Sequence, residues 1–159
     1  MPPTTPYSQD LGDREPLAAM RENADRLRAL TQGWSRERFE RSYAPGKWTA
    51  RQVLAHLAHT ELALGVRARM ALATPGYVAQ PFDQDAWVAR ETGVSGPEAV
   101  AAWLAVSRLN AALFEALSPA DRQTAMTHPE FGTITVDWII HQLAGHQIHH
   151  LRQLERIAG

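Results

Sequence analysis

Residues 135–157, TVDWIIHQLAGHQIHHLRQLERI, decide how this chain is read. Within them Ile139, Leu143, His146, His150, Leu154 and Ile157 fall three and four apart, the spacing of one helical face. Thr135 is placed to cap the helix, and Ile134 to staple onto Ile139. A stripe of this length predicts a helix laid against a bundle core and running nearly to the C-terminus. Two positions of the stripe are histidines, so the same stretch also raises a chemical question.

Working outward, three further helical stretches appear. The first runs from about Pro16 to Leu30, with Leu17, Met20, Ala24, Leu27 and Leu30 on one face. The second opens on Thr49 as cap, with Gln52 as its capping-box partner and Trp48 stapling onto Val53, and runs to about Ala73 before Pro75 and Gly76. Ser95 and Glu98 open the third, which continues to Leu117 with Val100, Leu104, Leu113 and Leu117 as its expected inner face. The stretches around Val78 and Ile134 are too short to predict a sheet. The fold class is all-α: a flexible segment over residues 1–12, then a single domain over residues 13–159.

Composition narrows the function. Lysine plus arginine (16) balance aspartate plus glutamate (17), so no one-sign field is available for nucleic acid or a charged membrane surface. No run of eighteen apolar residues is present, and the N-terminus lacks the basic flank and apolar stretch of a secretion signal, which predicts a cytoplasmic protein. With no cysteine, disulfides and thiolate ligands are excluded, leaving imidazole and carboxylate for any metal.

His141, His146, His149 and His150 lie inside one ten-residue window, although the whole chain has only 7 histidines. His146 and His150 are four apart, so their imidazoles can share one ion. Burying both among leucines without partners would cost on the order of 1–3 kcal/mol for each unsatisfied group, and a shared cation supplies the partner. A third ligand is available in LAHLAHTE, residues 54–61, where His56 lies nearer the apolar face than His59. His149 reads as a pocket-lining or hydrogen-bonding residue. His141 and His128 read as structural or solvent-facing, and Trp48, Trp87, Trp103 and Trp138 as core aromatics. Asp83 and Asp85 suit turn or capping roles. The arginines of RARM (67–70) and LRQLER (151–156) read as solvating exposed faces.

These same residues carry a family resemblance. PGKWTARQVLAHLAHTE, residues 45–61, resembles the second-helix signature of the DinB/YfiT-like superfamily, and GHQIHHLRQLERI, residues 145–157, its histidine-rich fourth helix. PFDQDAW, residues 81–87, is similar to the connection of the YfiT-like branch. The resemblance spans Trp48 to Ile157. It implies a four-helix bundle of up-down-down-up topology, a homodimer, and three metal-binding histidines mapped by motif to His56, His146 and His150. Where many relatives have aspartate three residues after the first of these, this chain has His59.

Three neutral ligands leave an ion its full charge and an open position, the arrangement of a catalytic centre. Bound water at such a centre can lose a proton near pH 7, which is the hydrolase reading of a small-molecule substrate. Gln147 follows His146, so the glutamate base of HExxH peptidases is missing. The same position can lower the pKa of an exogenous thiol, which is the thiol S-transferase reading. The resemblance favours that version, because YfiT-like relatives include transferases that use low-molecular-weight thiols such as bacillithiol. His59 and His149 are the candidate bases or pocket residues, and nickel or zinc the expected ion. The non-enzymatic alternative is a metal-binding or stress-responsive helical module.

Overall fold

The structure is a computed structural model that describes all 159 residues. Four long helices form the frame: α2 (Pro16–Thr31), α4 (Ala50–Ala73), α6 (Gly96–Ala116) and α8 (Val136–Ala158). Four short ones, α1 (Ser8–Leu11), α3 (Arg36–Phe39), α5 (Gln84–Arg90) and α7 (Pro119–Arg122), lie between or before them. The expected caps are in place. Thr49 and Ser95 each close a capping box, with Gln52 and Glu98 respectively, and the Thr135 hydroxyl accepts the Trp138 amide. These contacts satisfy amide donors that a helix N-terminus otherwise leaves free.

Around the bundle α2 lies against α8, α8 against α4, α4 against α6, and α6 against α2. Cross-helix contacts give the directions. Glu61 on α4 meets Gln147 on α8, while Val53 and Leu54 share a cluster with Leu151, Leu154 and Ile157, so α4 and α8 are antiparallel. Arg51 reaches Glu91 and Val94 near the start of α6, and Arg69 reaches Asn110 further along it, so α4 and α6 are parallel. Asn23 meets Gln147 and Arg26 meets Glu155, which makes α2 parallel to α8. The topology is up-down-down-up, as expected.

The inner face of α6 differs from expectation. Ala99, Trp103, Ser107, Asn110 and Phe114 are buried, whereas Val100, Leu104, Leu113 and Leu117 are only partly so. The reason is a polar layer at mid-bundle. Asn23, Glu61, Ser107, Asn110 and Gln147 are linked by hydrogen bonds there, so two polar residues of α6 point inward. One apolar cluster, around Phe114, Ile139 and Leu143, lies to one side of this layer, and a second, around Leu54, Trp103 and Leu154, to the other. An eighteen-residue window of α6 has a mean hydropathy of 1.2, enough by length and composition to cross a membrane. Here its buried face packs instead on α2 and α4.

Two further expectations are corrected. Ile134 does belong to a sheet: β1 (Ala125–His128) and β2 (Gly132–Thr135) form an antiparallel hairpin, and Val78 adds a parallel bridge to Thr127. Only Met126, His128 and Ile134 of these strands are buried, too few to produce a readable alternation. The other correction concerns the N-terminus, where residues 5–11 pack against α8. Leu11 is buried, the Trp138 indole N–H donates to the Thr4 carbonyl at 2.9 Å, and Arg152 pairs with Asp10 at 2.5 Å. The boundary expected at residue 13 therefore does not separate packed from unpacked chain.

Gly145 makes this docking possible. A β-carbon there would lie 2.4 Å from the Tyr7 carbonyl oxygen. Gly145→Ala is expected to cost about 1–3 kcal/mol by overpacking, measured as a lower melting temperature together with faster proteolysis before Leu11. In a variant lacking residues 1–8 the same substitution should stabilise by up to about 1 kcal/mol, the ordinary helix-propensity gain. Equal effects in both backgrounds would rule out the clash.

Candidate metal centre

His56 on α4 and His146 and His150 on α8 converge beside the polar layer, all three buried, at 2%, 3% and 6% exposure. Their phase produces this meeting. On antiparallel neighbours, His56 faces the turn of α8 that carries the i, i+4 pair. The Nε2 atoms of His56 and His146 are 2.9 Å apart, and one ring nitrogen from each of the three residues lies within 4.8 Å of the others.

The donor set fits a divalent ion. Nitrogens bound to one tetrahedral ion at about 2.0–2.1 Å stand roughly 3.3 Å apart, between the closest and widest separations seen here. The His150 Nδ1–H donates to Gln153 Oε1 at 2.7 Å, which leaves its Nε2 lone pair free and fixes the ring. Burial, reinforced by the charges of neighbouring histidines, keeps the rings neutral. It pushes His56 down to about 3 and His150 down to about 4, and it holds His146 well below the ordinary histidine range. Three buried imidazoles that resist protonation present lone pairs at neutral pH. Trp48 packs at a tilt against His56 at 4.9 Å and Tyr7 meets His146 edge-on at 5.1 Å, closing two sides of the group.

A cavity of about 280 Å³ opens from His56 and His146. Tyr7, Thr60, Arg67, His128, Phe131 and Gln142 are among its walls. His59 and His149, the expected bases, do not line it. His59 Nε2 sits 3.4 Å from Glu91 Oε1 against the edge of Trp87, and His149 Nδ1 lies 3.5 Å from Asp10 Oδ2. His141 plays the structural part expected of it, its Nδ1–H donating to the Asp137 carbonyl at 2.9 Å. Asp83 caps α5.

His128 is not solvent-facing but 3% exposed, because the hairpin folds it into the cavity wall. Trp87 is 39% exposed rather than core, since α5 lies across the outside of α4. Arg67 does not solvate an open face either. It is 7% exposed and donates to the Gln80 carbonyl at 2.6 Å.

The polar layer was missed by sequence reasoning. Gln147 and Asn110 donate to the two carboxyl oxygens of Glu61 at 2.5 and 2.7 Å, and Arg69 donates to Asn110 at 2.7 Å. Burial pushes the Glu61 carboxyl up to about 7, against the lowering effect of these donors. Gly65 leaves room for the Asn110 amide, which would lie 2.4 Å from any β-carbon at that position. Tyr7 and Arg67 fell on no recognisable motif, and Glu61 closes the second-helix signature without being singled out there. The one available signal was a cluster of polar residues at helical core phase.

An up-down-down-up helical bundle with three histidines on two inner helices defines a class of protein, and comparison places the chain within it. The DinB superfamily profile matches residues 19–154, and the chain belongs to that superfamily. It is 32% identical over 120 residues to a candidate metal-dependent hydrolase from Oceanobacillus iheyensis, an alignment covering 74% of this chain and 69% of that protein. Among solved structures, YfiT from Bacillus subtilis superposes with a TM-score of 0.82 at 19% identity, covering 99% of this chain and 89% of that one. The mycothiol-dependent maleylpyruvate isomerase superposes with a TM-score of 0.73 at 15% identity, covering 95% of this chain and 63% of the other. The fold is thus that of the YfiT four-helix bundle.

Proposed function

We propose that this chain is a metal-dependent hydrolase of a small molecule, with His56, His146 and His150 holding one zinc or nickel ion. The observation that carries the reading is the convergence of three neutral, buried imidazoles, two of which, His56 and His146, line a cavity. A divalent ion held there supplies Lewis acidity, lowering the pKa of water or of a thiol in its open position.

The protein's own groups do the rest. The Tyr7 ring, packed on His146 and on His149, shields the imidazoles from bulk water. The Glu130 amide donates to His128 Nδ1 at 3.1 Å, so the neutral ring carries its proton on Nε2. That N–H is available to a substrate oxygen in the cavity. His149, held by Asp10 and packed on the Tyr7 ring outside the cavity, remains the candidate base. The relative from Oceanobacillus iheyensis supports hydrolysis by its name. The mycothiol-dependent structural neighbour supports a second reading, transfer of a low-molecular-weight thiol to an electrophile at the same centre.

The test uses untagged protein loaded with zinc or nickel, its metal content measured directly. It is assayed on panels of small esters and amides, then with a thiol and a chromogenic electrophile. Hydrolysis of a panel member, lost on chelation and regained on reloading, is the expected result. Turnover that requires the thiol would select the second reading, and protein that retains no metal would overturn both.

A further inference from the structure

We infer that the substrate carries a carboxylate, and that Arg67 binds it at the end of the cavity remote from the histidines. The inference rests on the metal-centre reading for which end of the cavity is reactive. His56, Thr60, Leu64 and Arg67 form one stripe of α4 facing that cavity. Eleven residues separate the first from the last, about 16 Å along a helix axis. Side chains lean toward the helix N-terminus, so the guanidinium reaches back toward the imidazoles from that distance.

Arg67 is a buried cation without a counter-ion. No acidic oxygen lies within 4.0 Å of it, and its one side-chain hydrogen bond goes to the Gln80 carbonyl. Its ring contact is with Phe82, 5.9 Å from the guanidinium carbon. A buried charge is retained at a cost unless something pairs with it. None of its nitrogens is among the sealed-off atoms lacking partners, and the residue lines both this cavity and the apolar groove beside it. His128, 3% exposed, offers a second N–H in the same cavity.

A guanidinium fork matches a planar oxyanion with two parallel hydrogen bonds. Carboxylate is favoured over phosphate by charge, because a single cation with Glu130 near enough to be felt suits a monoanion. Arg67 and Phe82 also border an apolar groove with Leu62, Val66 and Trp87, which gives an alkyl chain on the substrate somewhere to lie.

The test is a series of ω-carboxyalkyl hydroxamates with two, four and six methylenes, titrated calorimetrically into zinc-loaded protein. Each is compared with its neutral methyl amide, its phosphonate counterpart and acetohydroxamate. For at least one length the acid should bind about tenfold tighter than the amide, the scale of one charge-assisted bidentate pair. In Arg67→Gln that preference should fall to within twofold, with acetohydroxamate binding unchanged. Arg67→Lys, which keeps the charge without the fork and guards against misfolding of the glutamine variant, should keep only part of it.

A metal-free arm uses hexanoate against hexanamide as thermal stabilisers of wild type and Arg67→Gln. Hexanoate protection without acetohydroxamate binding would remove the metal reading alone. Acetohydroxamate binding with no preference for acids, a preference undiminished in Arg67→Gln, or tighter binding of the phosphonates would overturn this inference alone.

Discussion

His146→Ala is expected to lower zinc or nickel affinity by at least about a thousandfold, roughly 4 kcal/mol. His146 is fully inside the bundle and its Nε2 lies 2.9 Å from that of His56, so no other side chain can replace it. The two remaining imidazoles make a weak site. His150→Ala should behave alike, while Gln153→Ala, which removes only the acceptor fixing the His150 ring, should cost about ten- to a hundredfold. Metal content after dialysis and calorimetric titration measure each. Stoichiometric zinc retained by both alanine variants would reject the ligand set. Wild type should also melt at a higher temperature with excess zinc, by the linkage between binding and folding, and His146→Ala should show no such shift.

The second large effect is acid destabilisation of the metal-free protein. The folded His56 and His150 titrate at about 3 and about 4, and His146 well below its ordinary range, whereas an unfolded histidine titrates near 6.5. Between these values the unfolded chain binds protons that the folded chain refuses, so stability falls as pH falls. From pH 7 to pH 4.5 His56 and His150 together remove about 5 kcal/mol, and His146 adds to the loss in the same direction.

Glu61 has the opposite sign. Its carboxyl is pushed up to about 7, so its proton stabilises the fold at low pH, and that contribution is lost as pH rises through about 7. Over the same interval it returns about 2–3 kcal/mol, leaving a net loss of about 2–3 kcal/mol from His56 and His150. His146 deepens that loss, already a large share of the stability of a typical domain. Urea unfolding at a series of pH values measures the slope. Replacing the three histidines with asparagine should flatten or reverse it, and excess zinc should move the acid limb to lower pH. An acid limb unchanged in the triple variant would show that other groups cause it.

What could be read in the chain follows from where the information lies. Thr49, Ser95 and Thr135 mark their helices because a cap acts on amides two or three residues away, and the stripe from Ile139 to Ile157 needs only helical periodicity. His56 could be picked out over His59 because phase on one helix is a local quantity. The inner face of α6 could not be read, because Ser107 and Asn110 are tolerated inside only by partners on α4 and α8. The burial of Arg67 and the part His128 plays in the cavity wall were illegible for a similar reason: they depend on the chain around Gln80 and on a hairpin that sequence alternation does not mark.

By itself, then, the sequence determined the absence of thiol ligands, from composition, and four helices, their caps and three histidines with the phase to meet, from spacing within each helix. Tertiary structure alone decided that Tyr7 closes over His146, that Glu61 is buried among amides, and that an unpaired Arg67 lines the cavity. Each of these depends on which side chains from distant segments share a low-dielectric interior, and the energy of a polar group there is set by partners that no local pattern can name.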